Sequence, residues 1–304
     1  TPSLCASSSI FDLMFRSSAA KPPMNCSQRP DIDDWMVRRR ASGKQHLAVG
    51  QHNQHSALAL CALRHASSQW CEDLLLLPTL LHVAPEGGTF VELGALDGRT
   101  FSNTYMLESC LGWRGILIEP NPNNFAALNA SGRRATLVHS GTCPLAGTIR
   151  MSVGGGAMAA NVEHMSKRHR SMHRNRPTVS VTCEPLSTIM CRAGYPRATL
   201  LSLDVEGAED FVLGTVNPSA FEIIVVESDG FDCHKEQRVH SIITRAGLQL
   251  QDPAFGLRVP RSRVYVQPAV RPVLLRNVSV EDTAMYPRPT LAELGRALQD
   301  CCGH

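Results

Sequence analysis

Four carboxylate residues stand at or just beyond the ends of short apolar runs in this chain. They are Asp97, Glu119, Asp204 and Glu227. In an open α/β sheet, the carboxyl ends of parallel strands meet at one edge, and the ligand binds there. Carboxylates at that edge can attract a cation and can accept protons from the hydroxyls of a ribose. The pattern therefore predicts a site for a positively charged nucleoside.

A glycine turn follows the first of these runs and indicates which nucleoside would bind. Gly94 and Gly98 form the pattern G-x-x-x-G, and the carboxylates of Glu92 and Asp97 flank it. A dinucleotide site uses G-x-G-x-x-G, with the pyrophosphate at a helix N-terminus. Negative charge beside the turn would repel a phosphate and attract a sulfonium. The turn favours S-adenosylmethionine over NAD, although a purely structural turn has the same pattern.

The elements after this turn can be predicted in chain order. Segment 102–104 (Ser-Asn-Thr) predicts the cap of a helix that runs to about Cys110. A second strand, 116–118, ends at Glu119, where a carboxylate would hold the ribose diol. A third apolar run leads to Ser140, whose small side chain leaves room for an adenine edge.

A second acidic stretch contains the residues best suited to proton transfer. The fourth apolar run, 200–203, is followed by Asp204, Glu206 and Glu209. Asp204 or Glu206 could remove the proton of an acceptor hydroxyl. The same acids, clustered with Glu227, could alternatively bind Mg²⁺, although no metal site is predicted. For Glu209 we prefer a structural role, in which it stabilises a helix N-terminus.

Length and pattern predict one α/β domain with extensions. The chain has 304 residues, and we assign 1–44 to a disordered or targeting-like extension. The domain itself spans 45–270, with an insert at 142–199 that carries a basic loop at 164–176. Such a loop is usually solvated and mobile; the alternative is a lid that contacts an acidic or phosphorylated acceptor. The remaining residues, 271–304, predict a C-terminal extension with a surface helix.

Composition excludes some classes of protein and leaves the compartment open. The net charge of +3 is too small to indicate nucleic acid as a partner. No apolar run approaches the ~20 residues that span a bilayer, so the sequence predicts a soluble protein. Eleven cysteines cannot all pair with one another, and the absence of C-x-x-C argues against zinc. Glycosylation sequons at Asn25, Asn129 and Asn277 fit a secretory lumen, but plastid and cytoplasm are equally compatible.

Four segments together resemble the FkbM-type methyltransferases: 90–98, 102–104, 112–122 and 201–209. The resemblance runs from about Trp70 to Val266. It implies a class I methyltransferase fold, in which a seven-stranded, mostly parallel sheet has its last strand antiparallel and helices on both faces. It also implies S-adenosylmethionine as cofactor.

The resemblance further implies a role for each matching position. The methionine end of the cofactor would lie near Glu92, Gly94, Asp97 and Gly98, with Ser102 and Asn103 in the same site. Glu119 and Pro120 would lie at the ribose and Ser140 near adenine, while Asp204 and Glu206 would face the reacting methyl.

The predicted activity is O-methylation of a hydroxyl on a sugar, glycan or natural product, so a small molecule or glycan is the expected partner. Two alternatives remain: an NAD-dependent Rossmann oxidoreductase and a non-catalytic binding protein that retains the fold. The missing third glycine argues against the first. The intact set of acidic residues argues against the second. The acceptor and the oligomeric state are not predicted.

Overall fold

The computed structural model describes residues 58, 61–62, 64–70, 72–153, 156–165, 170, 173–228, 232–251 and 261–270. The predicted extensions at 1–44 and 271–304 lie outside these residues, as does part of the predicted basic loop.

Seven strands form one central sheet. Its strands are β1 (Thr89–Leu93), β2 (Arg114–Ile118), β3 (Thr136–Val138), β7 (Ala198–Leu203), β8 (Phe221–Glu227), β9 (Gln249–Leu250) and β10 (Ser262–Val266). The spatial order is β3-β2-β1-β7-β8-β10-β9. Within this sheet β10 alone runs antiparallel to its neighbours, and the other pairings are parallel. The predicted mostly parallel sheet with an antiparallel last strand is confirmed.

Both faces of the central sheet are buried, which explains why its strands are continuous apolar runs. Successive residues of a strand point to opposite faces. Phe90 and Leu200 accordingly pack in one hydrophobic cluster, whereas Val91 and Leu201 pack in the other.

Helices cover both of these faces. They are α1 (Glu72–Val83), α2 (Tyr105–Leu111), α3 (Pro122–Ala130), α4 (Leu186–Arg192), α5 (Glu209–Leu213) and α6 (Cys233–Arg245). Apolar side chains of α1, α2 and α3 belong to the first cluster, and those of α4, α5 and α6 to the second. No helix among the described residues is long and apolar enough to cross a bilayer.

Local sequence explains where several helices begin. Asn121 accepts a hydrogen bond from the Asn123 amide, and a proline follows it at the first turn of α3. Asp232 accepts from the His234 and Lys235 amides at the start of α6. The apolar run 74–83 lies in the buried helix α1, which continues through Pro78. Packing of its leucines in the first cluster outweighs the lost amide hydrogen bond.

A second, smaller sheet interrupts the chain between β3 and α4. It consists of β4 (Gly141–Thr142), β5 (Gly147–Ser152) and β6 (Thr178–Glu184), in the order β4-β6-β5. A disulfide joins Cys143 to Cys183 within its small apolar core. We call this element the accessory sheet. A second disulfide, Cys61–Cys110, ties the segment before α1 to the end of α2.

The accessory sheet accounts for only part of the predicted insert at 142–199. Strands were expected at 148–153 and 179–183, and β5 and β6 lie there. The last part of the predicted insert instead packs against the central sheet as part of the domain core. Leu186, Ile189 and Met190 of α4 are buried in the second cluster, and their spacing of three and four residues is typical of a helix face.

Candidate active site

The turn after β1 holds three parallel strands together at one edge of the sheet. Gly94 has a φ of +81°, which glycine adopts without strain. A Cβ atom at this position would lie 1.9 Å from the carbonyl oxygen of Asp204. The Gly94 amide donates to the carbonyl of Ile118 (3.2 Å), and the Asp204 amide donates to that of Leu93 (3.3 Å). The ends of β1, β2 and β7 therefore meet closely at this edge.

A cavity of about 420 Å³ opens where these strands end. Its volume lies in the range of small-molecule sites. Eight of the predicted site residues line it: Glu92, Gly94, Asn103, Glu119, Pro120, Ser140, Asp204 and Glu206. The cleft that the acidic pattern predicts is therefore present, and it is shared by the ends of β1, β2 and β7.

Three predicted site residues, Asp97, Gly98 and Ser102, are not among the lining residues. Asp97 Oδ1 accepts from the Arg99 and Thr100 amides at 2.8 and 2.7 Å. Partial burial would raise the pKa of Asp97, but the Thr100 hydroxyl and these amides outweigh it and hold the pKa below its ordinary value. The Asp97 carboxylate therefore stabilises the turn in which it lies.

Gly98 and Ser102 stabilise the same loop without lining the cavity. A Cβ atom at Gly98 would lie 2.5 Å from a methyl carbon of Leu128, so glycine is needed for packing against α3. The Ser102 hydroxyl accepts from the Thr104 and Tyr105 amides. Thr104 is the N-cap residue of α2, yet its side chain makes no capping hydrogen bond. The predicted cap is thus provided by the serine.

Glu92 lines the cavity, but its carboxylate is engaged by the loop before α2. Its two oxygens accept from the Ser102 hydroxyl at 2.8 Å and from the Asn103 amide at 2.9 Å. The Thr104 hydroxyl also donates to it. The Asn103 side chain in turn donates to the Ser202 hydroxyl on β7 at 3.0 Å. Glu92 therefore organises the cavity wall as well as contributing to it.

Glu119 stands at the end of β2, where the ribose-binding acid is predicted. Its two oxygens accept from the Leu96 and Asn121 amides, each at 2.8 Å. Burial raises the pKa of Glu119 to about 7, although these amides act in the opposite direction. The carboxyl group is held rigidly, and it changes charge near neutral pH.

Ser140 lies at the junction between the central and accessory sheets. Its hydroxyl donates to the carbonyls of Gly141 and Thr182, at 2.8 and 3.2 Å. The proton of this hydroxyl is therefore used within the fold, and the oxygen lone pairs remain available as acceptors. Pro120, the next lining residue after Glu119, has its carbonyl in contact with His139 Nε2 at 3.2 Å.

The acidic residues after β7 and β8 form a compact group. Asp204, Glu206 and Glu227 line the cavity, whereas Glu209 is fully buried. Glu209 accepts from the Gly207 amide and pairs with the Lys235 ammonium on α6 at 2.7 Å. This agrees with the structural role preferred for Glu209.

Burial and mutual repulsion perturb this acidic group. Asp204 is exposed at the cavity surface, but protein atoms surround its carboxyl group closely, and this desolvation raises the pKa of Asp204. The charge of Glu209 raises it further, while that of Lys235 lowers it. Burial also raises the pKa of Glu227 well above its ordinary value, and the charges of Asp204 and Glu206 add to the effect. Glu227 is therefore protonated more readily than an exposed glutamate.

The sequence also allows this acidic group to bind Mg²⁺ as an alternative. Carboxylate oxygens of Asp204, Glu209 and Glu227 lie within 4.8 Å of one another, and such oxygens are ligands that Mg²⁺ accepts. The Lys235 ammonium, however, already contacts Glu209 and opposes a second cation. The geometry provides no additional reason to expect a metal.

Several lining residues were not predicted as site residues. Glu227 was predicted at the acidic edge of the sheet but was given no role there, and it lines the cavity. Other lining residues come from β5 and from the segment between β5 and β6: Ile149, Met151, Ala157, Met158, Ala159 and Asn161. Trp70 and Arg261 also line the cavity, with the guanidinium 5.5 Å from the ring centroid. No motif in the sequence distinguishes these positions.

Comparison with known families adds an independent observation. The family model described as Methyltransferase FkbM domain matches residues 92–250, more than half of the chain. The matched segment contains every acidic residue of the cavity, from Glu92 to Glu227. No curated protein matches the chain.

Similar solved structures are methyltransferases of low sequence identity. The methyltransferase PaMTH1 of Podospora anserina, bound to SAH, is 10% identical, with a TM-score of 0.34 over 79% of this chain and 88% of that one. An O-methyltransferase of Bacillus cereus in complex with SAH is 12% identical, with a TM-score of 0.33 over 78% and 100%. The 1,6-didemethyltoxoflavin-N1-methyltransferase of Burkholderia thailandensis is 15% identical, with a TM-score of 0.29 over 86% and 99%.

Proposed function

The chain belongs to the family of FkbM-domain methyltransferases, and on this premise we propose that it transfers a methyl group from S-adenosylmethionine to a hydroxyl oxygen of a sugar, glycan or natural product. The observation that carries the proposal is the single cavity lined by Glu119, Asp204, Glu206 and Glu227. A lining that is rich in carboxyl groups suits a cationic methyl donor.

The lining residues fit the parts of this cofactor. Glu119 would accept the ribose hydroxyl protons, because a carboxylate that already accepts two amides keeps further lone pairs. Ser140 would lie near adenine, and Gly94 and Asn103 near the methionine portion. Asp97, Gly98 and Ser102 would act by holding the loop that carries these residues, since they do not line the cavity.

Asp204 and Glu206 are our candidates for the general base. When bound, S-adenosylmethionine supplies a methyl group activated by its sulfonium charge. The contribution of the chain is to hold the acceptor hydroxyl near that methyl and to remove its proton. Both carboxyls face the cavity, and Glu206 is held by a φ of 56°, which is strained for a non-glycine residue. Such strain is typical of positions that a functional site constrains.

The acceptor would enter past Trp70 and Arg261, which line the same cavity as the acidic group. An aromatic ring offers an apolar face to a sugar or a polyketide, and nearby carboxylates can accept protons from its hydroxyls. A small molecule or a glycan is therefore the proposed partner, and nucleic acid is not.

Transfer of labelled methyl tests the proposal directly. The full chain would be incubated with methyl-labelled S-adenosylmethionine and a panel of glycans, lipids and small hydroxylated metabolites. We expect label on an acceptor oxygen, and binding of S-adenosylhomocysteine but not of NAD. Tight NAD binding, or label on nitrogen alone, would contradict the proposal.

Substitution of Asp204 tests its role within the same assay. Asp204→Ala and the isosteric Asp204→Asn should each lower kcat by about 10²- to 10⁴-fold, the usual contribution of a general base. S-adenosylhomocysteine binding and the unfolding midpoint should change little. Full activity in both variants would remove Asp204 from the mechanism and leave Glu206 as the candidate.

A further inference from the structure

We propose that Trp70 and Arg261 form the acceptor subsite of the cavity, and that the Arg261 guanidinium binds a carboxylate group of the acceptor. The acceptor would then be a hydroxy acid, such as a uronic acid residue of a glycan or a hydroxylated carboxylic acid. This inference rests on the proposed function, because it names the class of molecule that receives the methyl group.

Arg261 differs in charge from the rest of the cavity lining. Among the described residues that line the cavity, it alone has a cationic side chain, and the other ionisable groups there are carboxyls. An anionic group of a ligand would be repelled by the carboxylates and attracted by Arg261. The planar guanidinium also presents paired N–H donors that match the two oxygens of a carboxylate. A singly charged carboxylate is favoured over a doubly charged phosphate, which the nearby acids would repel more strongly.

Contacts with a ring and with the backbone hold Arg261 in place. Its guanidinium carbon lies over the Trp70 ring, 5.5 Å from the centroid, and both residues are partly buried. The Arg261 carbonyl accepts from the Ser228 amide at 2.7 Å. Its φ of 58° is uncommon for a residue other than glycine. A guanidinium has five N–H donors, so contact with the ring is compatible with a bidentate hydrogen bond to a carboxylate.

One buried carboxyl connects the two members of the subsite. Glu72, at the start of α1, is 4% exposed. Its Oε2 accepts from the Trp70 amide at 2.8 Å. Its Oε1 accepts from the hydroxyl of Ser262, the residue after Arg261, at 3.1 Å. The segments that carry the ring and the guanidinium are therefore fixed relative to each other before a ligand binds, which lowers the entropic cost of binding.

The register of the central sheet places this subsite next to the acidic group. Ser262 pairs with Glu227 across β10 and β8, and Asp204 follows β7, the other neighbour of β8. Two strand spacings, about 10 Å, separate the ends of β7 and β10. One small acceptor can therefore place its hydroxyl at the acidic group and its carboxylate at Arg261.

The same strand order separates Arg261 from the proposed cofactor position. The ribose and adenine are proposed at Glu119 and Ser140, which follow β2 and β3, and the methionine portion near Gly94, which follows β1. The order β3-β2-β1-β7-β8-β10 puts Arg261 three strand positions beyond β1. We therefore assign the guanidinium to the acceptor and not to the carboxylate of S-adenosylmethionine.

Matched ligand pairs and three variants of the full chain test this assignment. Each pair contains an acid and its neutral counterpart: glucuronate with glucose, galacturonate with galactose, and 3-hydroxybutyrate with 1,3-butanediol. Arg261→Gln removes the charge, and Arg261→Lys keeps the charge without the planar fork. Arg114→Gln is the control, because Arg114 is exposed at the opposite end of the strands.

Binding is measured by ¹⁵N NMR of the Trp70 indole, with S-adenosylhomocysteine saturating the cofactor site. A spectrum of Trp70→Phe assigns the signal. In wild type, at least one acid should bind about 10- to 100-fold more tightly than its neutral counterpart, the usual contribution of a hydrogen bond to a charged group. Arg261→Gln should abolish this preference, Arg261→Lys should keep only part of it, and Arg114→Gln should leave it unchanged. Affinity for S-adenosylhomocysteine and the unfolding midpoint should be the same in wild type and these three variants.

Three results would overturn the proposal. The first is equal binding of acid and neutral counterpart by wild type in every pair. The second is an acid preference that survives in Arg261→Gln. The third is a loss of S-adenosylhomocysteine affinity in Arg261→Gln as large as the loss of acid binding, which would assign the guanidinium to the cofactor. If the acid preference is present but wild type transfers no methyl to any acceptor, the proposed function fails and the carboxylate subsite stands.

Discussion

The central sheet and the accessory sheet form two walls of one cavity, but they contribute different chemistry. Carboxyls at the strand ends of the central sheet supply the charge, as Glu119 and Asp204 illustrate. The accessory sheet contributes apolar side chains such as Ile149 and Met151. The central wall requires a rigid framework that is buried on both faces, because placing charged groups away from water costs free energy. The accessory wall contributes mainly the shape of the cavity, and a sheet with one buried face is sufficient for this.

The ion pairs of the two regions differ in the same way. Lys235 and Glu209 behind the central wall are 2.7 Å apart, with side chains 2% and 0% exposed. Arg150 and Glu163 beside the accessory sheet are 3.6 Å apart, with side chains 58% and 57% exposed. Water screens the second pair and not the first. The ion pair behind the central wall is therefore structural, whereas the pair beside the accessory sheet is largely solvated.

The largest expected effect comes from removing one member of the buried pair. Lys235→Met should lower the free energy of unfolding by about 3–5 kcal/mol, because Glu209 would remain charged and buried. Urea denaturation at neutral pH measures it. Arg150→Gln is the matched change in the accessory region and should lower stability by at most about 1 kcal/mol. Equal losses in the two variants would contradict the contrast between the regions.

A smaller loss of stability is expected from Gly94→Ala. The new Cβ would meet the Asp204 carbonyl at 1.9 Å and would adopt a positive φ, so we expect a loss of about 2–4 kcal/mol. Displacement of Asp204 should also lower turnover by about 100-fold.

Gly194→Ala isolates the backbone contribution to this effect. Gly194 has a φ of +82°, with nothing within 4 Å of a Cβ atom. This variant should lose about 1–2 kcal/mol and keep its turnover. If Gly94→Ala behaves in the same way as Gly194→Ala, the close approach of the two strand ends has no functional role.

The smallest effect is expected from opening the accessory sheet. Cys143→Ser/Cys183→Ser removes its disulfide and should lower the unfolding free energy by about 2 kcal/mol, the lower end of the usual range. Hydrogen exchange should accelerate in β4, β5 and β6 and stay unchanged in β1 and β7. Cys61→Ser/Cys110→Ser is the control and should leave exchange in the accessory sheet unchanged. Faster exchange in β1 and β7 of the first variant would show that the two walls are one cooperative unit.

The central sheet was the most predictable part of the molecule. A strand buried on both faces is a short continuous apolar run, so β1, β2, β7 and β8 could be located from the local sequence alone. The acids that follow them were predicted to meet at one edge, and Glu119, Asp204 and Glu227 line the cavity there, whereas Asp97 does not. The helix α4 was missed because its short apolar pattern fell within a segment interpreted as an insert.

The sequence by itself determined which residues stand at the strand ends, because burial imposes a periodicity that survives in the order of residue types. Only the tertiary structure decided what each carboxyl contacts. Glu92 binds the loop before α2, Asp97 closes its own turn, and Glu209 pairs with a lysine 26 residues away. A carboxylate oxygen of Glu227 lies within 4.8 Å of one of Asp204, which follows the adjacent strand. Side-chain direction and distant partners depend on how the elements pack, and a periodic pattern indicates that a residue is buried without indicating which residues surround it.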